Sequence, residues 1–407
     1  MKILQIAGSG TVGIERMGPV SRDICNLSNC FQNLGHDVTV VDAETTIPRV
    51  NLDSRVRVLE TSTVSRTQLG KKLINNKLRY LLSWKTEFQF VKALQRLTSL
   101  ENFDIIHAHE HVPALILSYL CRERLVYTSH TPTWLKGETF KQKREIRFEK
   151  FERLLRIHEA DVICRCSLTI ALGDYLQTAL PQAPIVVIPN GIDLESWVPV
   201  ERMEARRQLG IAQQDFVLLS VTRFDPVKGI ETLINAVKEL TNKVKHLNVS
   251  IIGPLDRFYG SESSVSSYAR SIISKTEGLP ISFKGFIHNR SPEFRCWLSA
   301  ADLFVHTALF EPQGNVILEA LSMGLPVVAS RAGGTPQMVG EKVGLLFEAG
   351  DWTDLSQKVL FLYNNRERLK SMQLNCRKQV EEHFSWKGSA EKHLWAFEKI
   401  RRKYPLV

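Results

Sequence analysis

Short apolar, β-branched runs recur along the chain, and longer stretches with helical apolar spacing lie between them. In the first half, Lys2–Gly8, Asp37–Asp42, Val56–Glu60, Asp104–His109, Leu125–His130, Ser167–Ala171 and Ile185–Pro189 read as strands. Ser21–Leu34, Gln68–Leu100 and Thr139–Ala160 have the length and spacing of helices. The alternation then restarts. Phe216–Arg223, Asn248–Gly253, Ile281–Phe286, Leu303–His306 and Pro326–Ser330 read as strands, separated by helices at Glu231–Thr241, Ser266–Lys275, Pro292–Ala300 and Val316–Met323. Such alternation covers both faces of a parallel sheet with helices, so two series predict two doubly wound α/β domains. Ligands in these folds bind beyond the carboxyl ends of the strands, which points to a cleft between the two domains. Pro189-Asn-Gly-Ile-Asp193 is turn chemistry after a strand and marks the predicted hinge. Glu201–Gly210 reads as a basic, loosely patterned connection, and Trp352–Asn364, Arg366–His383 and Trp386–Arg402 as closing helices.

Composition narrows the class. With 407 residues, 43% hydrophobic and 24% charged, the chain is neither disordered, collagen-like nor a disulfide scaffold. No apolar run approaches the ~20 residues of a membrane-crossing helix. Met1–Gly8 is too short for a secretory signal, so a soluble, cytoplasmic protein is expected. None of the seven Cys forms a C-x-x-C pair, which argues against a zinc site or a redox pair. Cys164 and Cys166 read as reduced surface and core thiols alternating in a strand-like stretch.

Four constellations carry candidate chemistry. In Glu311-Pro-Gln-Gly-Asn-Val-Ile-Leu-Glu319, two carboxylates flank a Gly-containing turn and a helix start. The N–H groups of Gly314, Asn315 and Val316 would make an anion site suited to a diphosphate. The plainer alternative is a helix with two solvated acids. In Ser220-Val-Thr-Arg223-Phe-Asp-Pro-Val-Lys228-Gly229, two cations follow a strand, where they can neutralise a diphosphate or serve as surface charges. Gly8-Ser-Gly-Thr-Val-Gly13 with Met17-Gly18-Pro19 lets backbone approach a phosphate or sugar, or merely forms a tight turn. It is out of register with a dinucleotide fingerprint, and no P-loop occurs. Finally, His107-Ala-His109-Glu-His111 and His130 stand at strand ends; they suit hydrogen bonding better than metal, and His130, alone at a strand mouth, suits a polar ligand. No D-x-D is present to bridge a metal to a diphosphate.

Glu311–Glu319, followed by Ala-Leu-Ser-Met-Gly324-Leu-Pro-Val-Val-Ala-Ser-Arg-Ala-Gly333-Gly334, resembles the signature of retaining GT-B glycosyltransferases of the glycogen-synthase-like, group-one (family four) type. Asn190-Gly-Ile-Asp193, Arg223 with Lys228-Gly229, Ile252-Gly253-Pro254, Lys284-Gly-Phe286 and Phe384-Ser-Trp386 follow in that family's order. The resemblance covers nearly the whole chain and is strongest over 186–350. It implies an acceptor-binding Rossmann-like domain over 1–192 and a nucleotide-sugar-binding one over 193–384, facing a cleft. Residues 385–407 would cross back onto the first. It further implies that Arg223 and Lys228 hold the donor diphosphate and that Glu311 faces the transferred sugar. Gly314, Asn315 and Val316 would bind sugar hydroxyls or phosphate, and Glu319 the ribose. Backbone near Phe286 and Ile287 would meet the base, and His130 the donor sugar; Gly18 and Gly253 join the donor set. Two departures stand out: Met17-Gly18 replaces a Gly-Gly pair, and Gln313 replaces a Phe. Retention by front-face attack is implied, with the leaving diphosphate taking the acceptor's proton and with neither metal nor cofactor.

The net charge of +10 bears on the acceptor. Ser62–Leu100 holds eight Lys/Arg and one acid, Glu87, interleaved with Leu, Tyr, Trp and Phe, and 141–156 holds seven cations against three acids. A basic helix bearing aromatics suits an anionic lipid surface, although a covering helix with a core face and a solvated face has the same pattern. Nothing accompanies the charge that would read nucleic acid. The favoured expectation is a peripheral enzyme at the inner membrane face, moving a sugar from a UDP-sugar (or GDP-mannose) to a lipid-linked or cell-surface glycan precursor. A soluble synthase acting on a small sugar or sugar phosphate is the alternative, and a nucleotide-sugar epimerase a more distant one.

Overall fold

The computed structural model describes residues 1–7, 19–43, 51–61, 76–130, 132, 159–255 and 266–404, with backbone alone at 19, 42–43 and 76–86. The described residues divide into two compact units, one comprising those up to Gly191 together with those from Trp386 onward, the other Ile192–Ser385.

In the first unit β1 (Lys2–Ile6), α1 (Pro19–Asn33), β2 (Asp37–Ala43), β3 (Arg57–Thr61), α2 (Asn76–Leu97), β4 (Ile105–Ala108), α3 (His111–Ser118), β5 (Leu125–Ser129), β6 (Leu168–Ala171), α4 (Tyr175–Ala179) and β7 (Ile185–Val187) follow in order. All seven strands are parallel, in the order β3-β2-β1-β4-β5-β6-β7. Ile3, Leu4 and Ile6 are all fully buried, as expected of a strand covered on both faces.

The second unit runs α5 (Arg202–Leu209), β8 (Phe216–Val221), α6 (Ile230–Leu240), β9 (Leu247–Ile252), α7 (Ser267–Ser274), β10 (Ile281–Gly285), α8 (Pro292–Ala300), β11 (Leu303–His306), α9 (Asn315–Ser322), β12 (Val327–Ser330), α10 (Thr335–Met338), β13 (Gly344–Phe347), α11 (Trp352–Asn364) and α12 (Arg366–His383). Its six parallel strands lie in the order β10-β9-β8-β11-β12-β13. In each sheet the order reverses beside the first strand, so a crevice opens where the loops leaving that strand and its new neighbour diverge. The last helix, α13 (Trp386–Lys403), belongs to the first unit. It packs Phe397 against Phe31 of α1, ring centroids 5.7 Å apart, and Ser389 Oγ donates to the Pro189 carbonyl at 2.9 Å.

Several elements differ from the sequence reading. Glu201–Gly210 is a capped helix rather than a loose connection. The Glu201 carboxylate accepts from the Met203 and Glu204 N–H groups, and Gly210 ends the helix in the left-handed region at φ 67°. Its basic look misleads because Arg206 is buried, donating to Asp302 at 2.9 Å and to the Ala300 carbonyl at 3.0 Å. The apolar helix α3 and the short strand β13 carry no periodic signal and were not anticipated. The segment before Cys166 is helical over 159–165, not strand-like; Cys164 is exposed and Cys166 buried. Helix α2 starts at Asn76 among the described residues, and 139–158 lie outside them.

Candidate active site

The crevice of the second sheet lies between the loops after β8 and β11. The loop after β8 is pinned along its length. Phe224 is buried in the core, and the Asp225 carboxylate accepts from the Val227 N–H at 3.1 Å, closing the turn Pro226–Lys228. The Leu309 N–H then donates to the Val227 carbonyl at 2.7 Å, and Thr307 Oγ1 to the Lys228 carbonyl at 2.9 Å. These bonds tie one side of the crevice to the other and fix the Lys228 backbone.

Lys228 Nζ meets Glu311 Oε2 at 2.6 Å, and His306 Nε2 lies 3.3 Å from the same oxygen. Burial works against ionisation of Glu311. The Lys228 ammonium and the His306 imidazole more than offset it and hold the carboxyl well below the usual carboxylate range. The Glu311 backbone is fixed as well, because its carbonyl accepts from the Gly334 N–H at 2.9 Å. Gly333 sits at φ 57° against that carbonyl; a Cβ there would stand 2.0 Å from the Glu311 oxygen. The second glycine-rich turn, after β12, therefore seats the first carboxylate.

Gly314, at φ 76°, caps the start of α9. Asn315 and Val316 occupy its first turn, where helix N–H groups lack intrahelical acceptors and the dipole favours an anion. Glu319 lies farther along the same helix, 4% exposed, and its Oε1 accepts from Asn289 Nδ2 at 3.1 Å. Asn289 follows Phe286 and Ile287 in the loop after β10; Phe286 is exposed and Ile287 packs on the core. Gly253, after β9, is pressed against β8: its N–H donates to the Gly285 carbonyl at 2.8 Å, and a Cβ would stand 1.7 Å from the Thr222 oxygen. Gln313 is buried, whereas Arg223 is exposed and has no ion pair among the described residues. Gly18 and the glycine loop before it lie outside the described residues.

In the first unit His130 follows β5. It does not stand alone as the sequence suggested: its Nε2 lies 2.9 Å from His109 Nδ1, and its Nδ1 lies 3.6 Å from Asp23 Oδ2. His107 and His109 are buried and hydrogen-bonded, His107 to Thr128 Oγ1 at 2.7 Å and His109 to Gln5 Oε1 at 2.7 Å.

Two family models match the chain, Glycosyltransferase Family 4 over residues 20–196 and Glycosyl transferases group 1 over residues 201–379. The chain belongs to the group 1 glycosyltransferases of GT-B fold. It is similar to the D-inositol 3-phosphate glycosyltransferase of Actinosynnema mirum, at 29% identity over 74% of this chain and 73% of that one. It is similar also to the N-acetyl-alpha-D-glucosaminyl L-malate synthase of Bacillus anthracis, at 23% identity over 70% of this chain and 71% of that one. Among solved structures, the sucrose-phosphate synthase of Thermosynechococcus elongatus superposes with a TM-score of 0.75 at 20% identity, covering 99% of both chains. Anabaena HepE, in complex with UDP and glucose, gives a TM-score of 0.69 at 22% identity over 98% of this chain and 100% of that one. At these identities the structural neighbours establish the fold. The chain is thus a glycosyltransferase, a class that uses nucleotide-sugar donors.

Sequence reasoning missed three groups that shape this glycosyltransferase's sites: His306, Asn289 and Asp23. His306 is the last residue of an apolar strand and Asp23 lies within an amphipathic helix, so neither carries a motif. Asn289 sits a few residues past Phe286, inside a loop whose course the sequence does not specify.

Proposed function

We propose that this enzyme transfers a sugar with retention from a UDP-sugar, GDP-mannose being the other donor considered, without a metal ion. The observation that supports this reading is the Lys228–Glu311–His306 cluster beside the start of α9, with Glu319 farther along that helix. On this reading Lys228 and Arg223 clamp the diphosphate and offset the charge that develops on it as the glycosidic bond breaks. The N–H groups of Gly314, Asn315 and Val316 bind donor oxygens, and Gln313 reads the sugar. Glu319 takes the ribose, the Phe286–Ile287 backbone meets the base, and Gly253 lets the β9 end approach the donor. Glu311 is ionised throughout the working range and faces the sugar as a fixed acceptor. His130 and Gly18 contribute from the first unit. The leaving diphosphate takes the acceptor's proton, so catalysis is largely positioning and charge stabilisation.

For the acceptor, the basic segment Ser62–Leu100 supports a lipid-linked or cell-surface glycan precursor at an anionic membrane face. In its described part, Phe90, Val91 and Leu94 belong to the core and Glu87 is buried, while Phe88, Lys92 and Arg96 face solvent. The segment's single acid is therefore withdrawn from the surface, while the two cations of the described part are kept there. Among the described residues no helix is long and apolar enough to cross a membrane. The names of the curated relatives favour a second reading, transfer to a small phosphorylated polyol or hydroxy acid.

Radiolabelled UDP-glucose, UDP-N-acetylglucosamine and GDP-mannose, each offered with a lipid extract or with inositol phosphate, test the reading. Label entering the lipid phase, with co-sedimentation on anionic vesicles, supports the membrane acceptor, and a labelled small phosphate supports the second reading. Donor turnover to an isomerised nucleotide sugar, or to no product at all, would sink glycosyl transfer.

A further inference from the structure

The hydrogen-bonded chain around His130 has a fixed polarity. Gln5 directs its carbonyl Oε1 at His109 Nε2, 2.7 Å away, so that nitrogen carries the proton and His109 Nδ1 is left as an acceptor. Burial, with the neighbouring His107, His130 and His393, holds His109 well below the ordinary imidazole value, so it stays neutral. His130 must then donate from Nε2 into His109 Nδ1 at 2.9 Å, and a neutral His130 turns a bare Nδ1 lone pair outward. Asp23 Oδ2 lies 3.6 Å from that nitrogen, an electrostatic contact longer than a hydrogen bond. The Asn190 amide donates to the same oxygen at 2.7 Å, and Asp23 Oδ1 is buried without a partner among the described residues. An ionised Asp23 would set a negative oxygen against a lone pair. A protonated one sets a hydroxyl against it.

We propose that Asp23 is a positioning residue for His130: the pair holds one proton between them, carried on the Asp23 carboxyl and directed at His130 Nδ1. Gln5 and His109 dictate this arrangement from the other side of the ring. The groups around the pair agree with it. Among the described residues, the Arg22 cation on α1 is the one formal charge acting on Asp23, while β4 contributes His107 and His109, α13 contributes His393, and the turn after β7 contributes Asn190. Burial of this carboxyl in a neutral surround, against the pulls of Arg22 and Asn190, pushes Asp23 up to about 7. Burial drives His130 down to about 3 and His393 down to about 4. The proton therefore resides on Asp23 below neutrality. Above it, the carboxylate repels the Nδ1 lone pair and His130 loses its seat.

The consequence for transfer rests on the reading that His130 meets the donor sugar, but the proton arrangement can be measured without it. In the full chain labelled with 15N-histidine, a pH titration from 5.5 to 9 reads the His130 ring directly. The expected result is the Nε2–H tautomer at low pH, an Nδ1 shift that moves with a midpoint near 7, and loss of that movement in Asp23→Asn. Asparagine carries no titrating proton, so the ring meets the same neutral group at every pH. Wild-type His130 in the Nδ1–H tautomer overturns the proposal without any variant. So does a titration unchanged in Asp23→Asn. For transfer, kcat/KM of the wild type should fall several-fold as pH rises through the same midpoint, with KM for the donor carrying the change, and Asp23→Asn should be flat. If no nucleotide sugar is turned over by any form, the functional reading fails while the ring titration still decides this one.

Discussion

Replacing Lys228 by Met removes the cation from a pair whose carboxylate and ammonium side chains are only 11% and 17% exposed. Breaking a buried pair from one side costs ~3–5 kcal/mol, because the remaining charge is left desolvated. His306 stays 3.3 Å from Glu311 Oε2, so the lower end, about 3 kcal/mol, is expected. The pH dependence supplies a sharper check. With Lys228 present, the folded value of Glu311 lies below its ordinary 4.5, so its stabilisation is complete above that value and lost as pH falls toward the folded one. Without Lys228, burial dominates and the sign inverts. The folded value then rises above the unfolded one, and stability is lost as pH climbs between them. Urea unfolding at pH 5 and pH 8 should therefore show the larger deficit at pH 8. Adding Glu311→Gln should restore most of the stability but none of the transfer, which should remain down by ~10²–10³-fold from the lost diphosphate clamp. A deficit under about 1 kcal/mol that is equal at both pH values and independent of Glu311 would refute the pair's assigned role.

Four further outcomes follow from the same geometry. Arg223→Ala should leave stability within about 0.5 kcal/mol, since the side chain is exposed, yet cut transfer ~10²-fold or more; near wild-type turnover would remove Arg223 from the donor clamp. Gly333→Ala should cost about 1–3 kcal/mol and lower kcat, because its Cβ would stand 2.0 Å from the Glu311 carbonyl. Gly324→Ala is also left-handed, but its nearest contact is 3.7 Å away, so thermal unfolding should show a loss while turnover at 25 °C is retained. Arg206→Met should destabilise by ~3–5 kcal/mol through Asp302 with kcat and KM unchanged at low temperature, and altered kinetics there would contradict its purely structural placement.

How much of this was legible in the sequence depends on the kind of signal each residue carries. Strands buried on both faces are nearly continuous apolar runs, so β1 and β8 announce themselves, while the four-residue β13 and the uniformly apolar α3 do not. The Glu311–Glu319 segment was legible because a turn glycine and a helix start leave a mark in residue type. The buried role of Arg206 was not, since an arginine paired to Asp302 almost a hundred residues away looks locally like any surface charge. The basic segments assigned to the membrane face lie largely outside the described residues, at 62–75 and 141–156, so their reading still rests on charge pattern.

By itself, the sequence determined two doubly wound units, the order of the donor motifs and the residue types at the strand ends, because local propensity and periodicity are short-range properties. The tertiary structure decided which of those residues meet. It brought Lys228, His306 and Glu311 onto one oxygen, tied Asn289 to Glu319, and strung Gln5, His109, His130, Asp23 and Asn190 into a single chain. The physical reason is that protonation and charge depend on burial and on the nearest partner. In a parallel sheet, those partners come from strand ends that lie far apart in sequence.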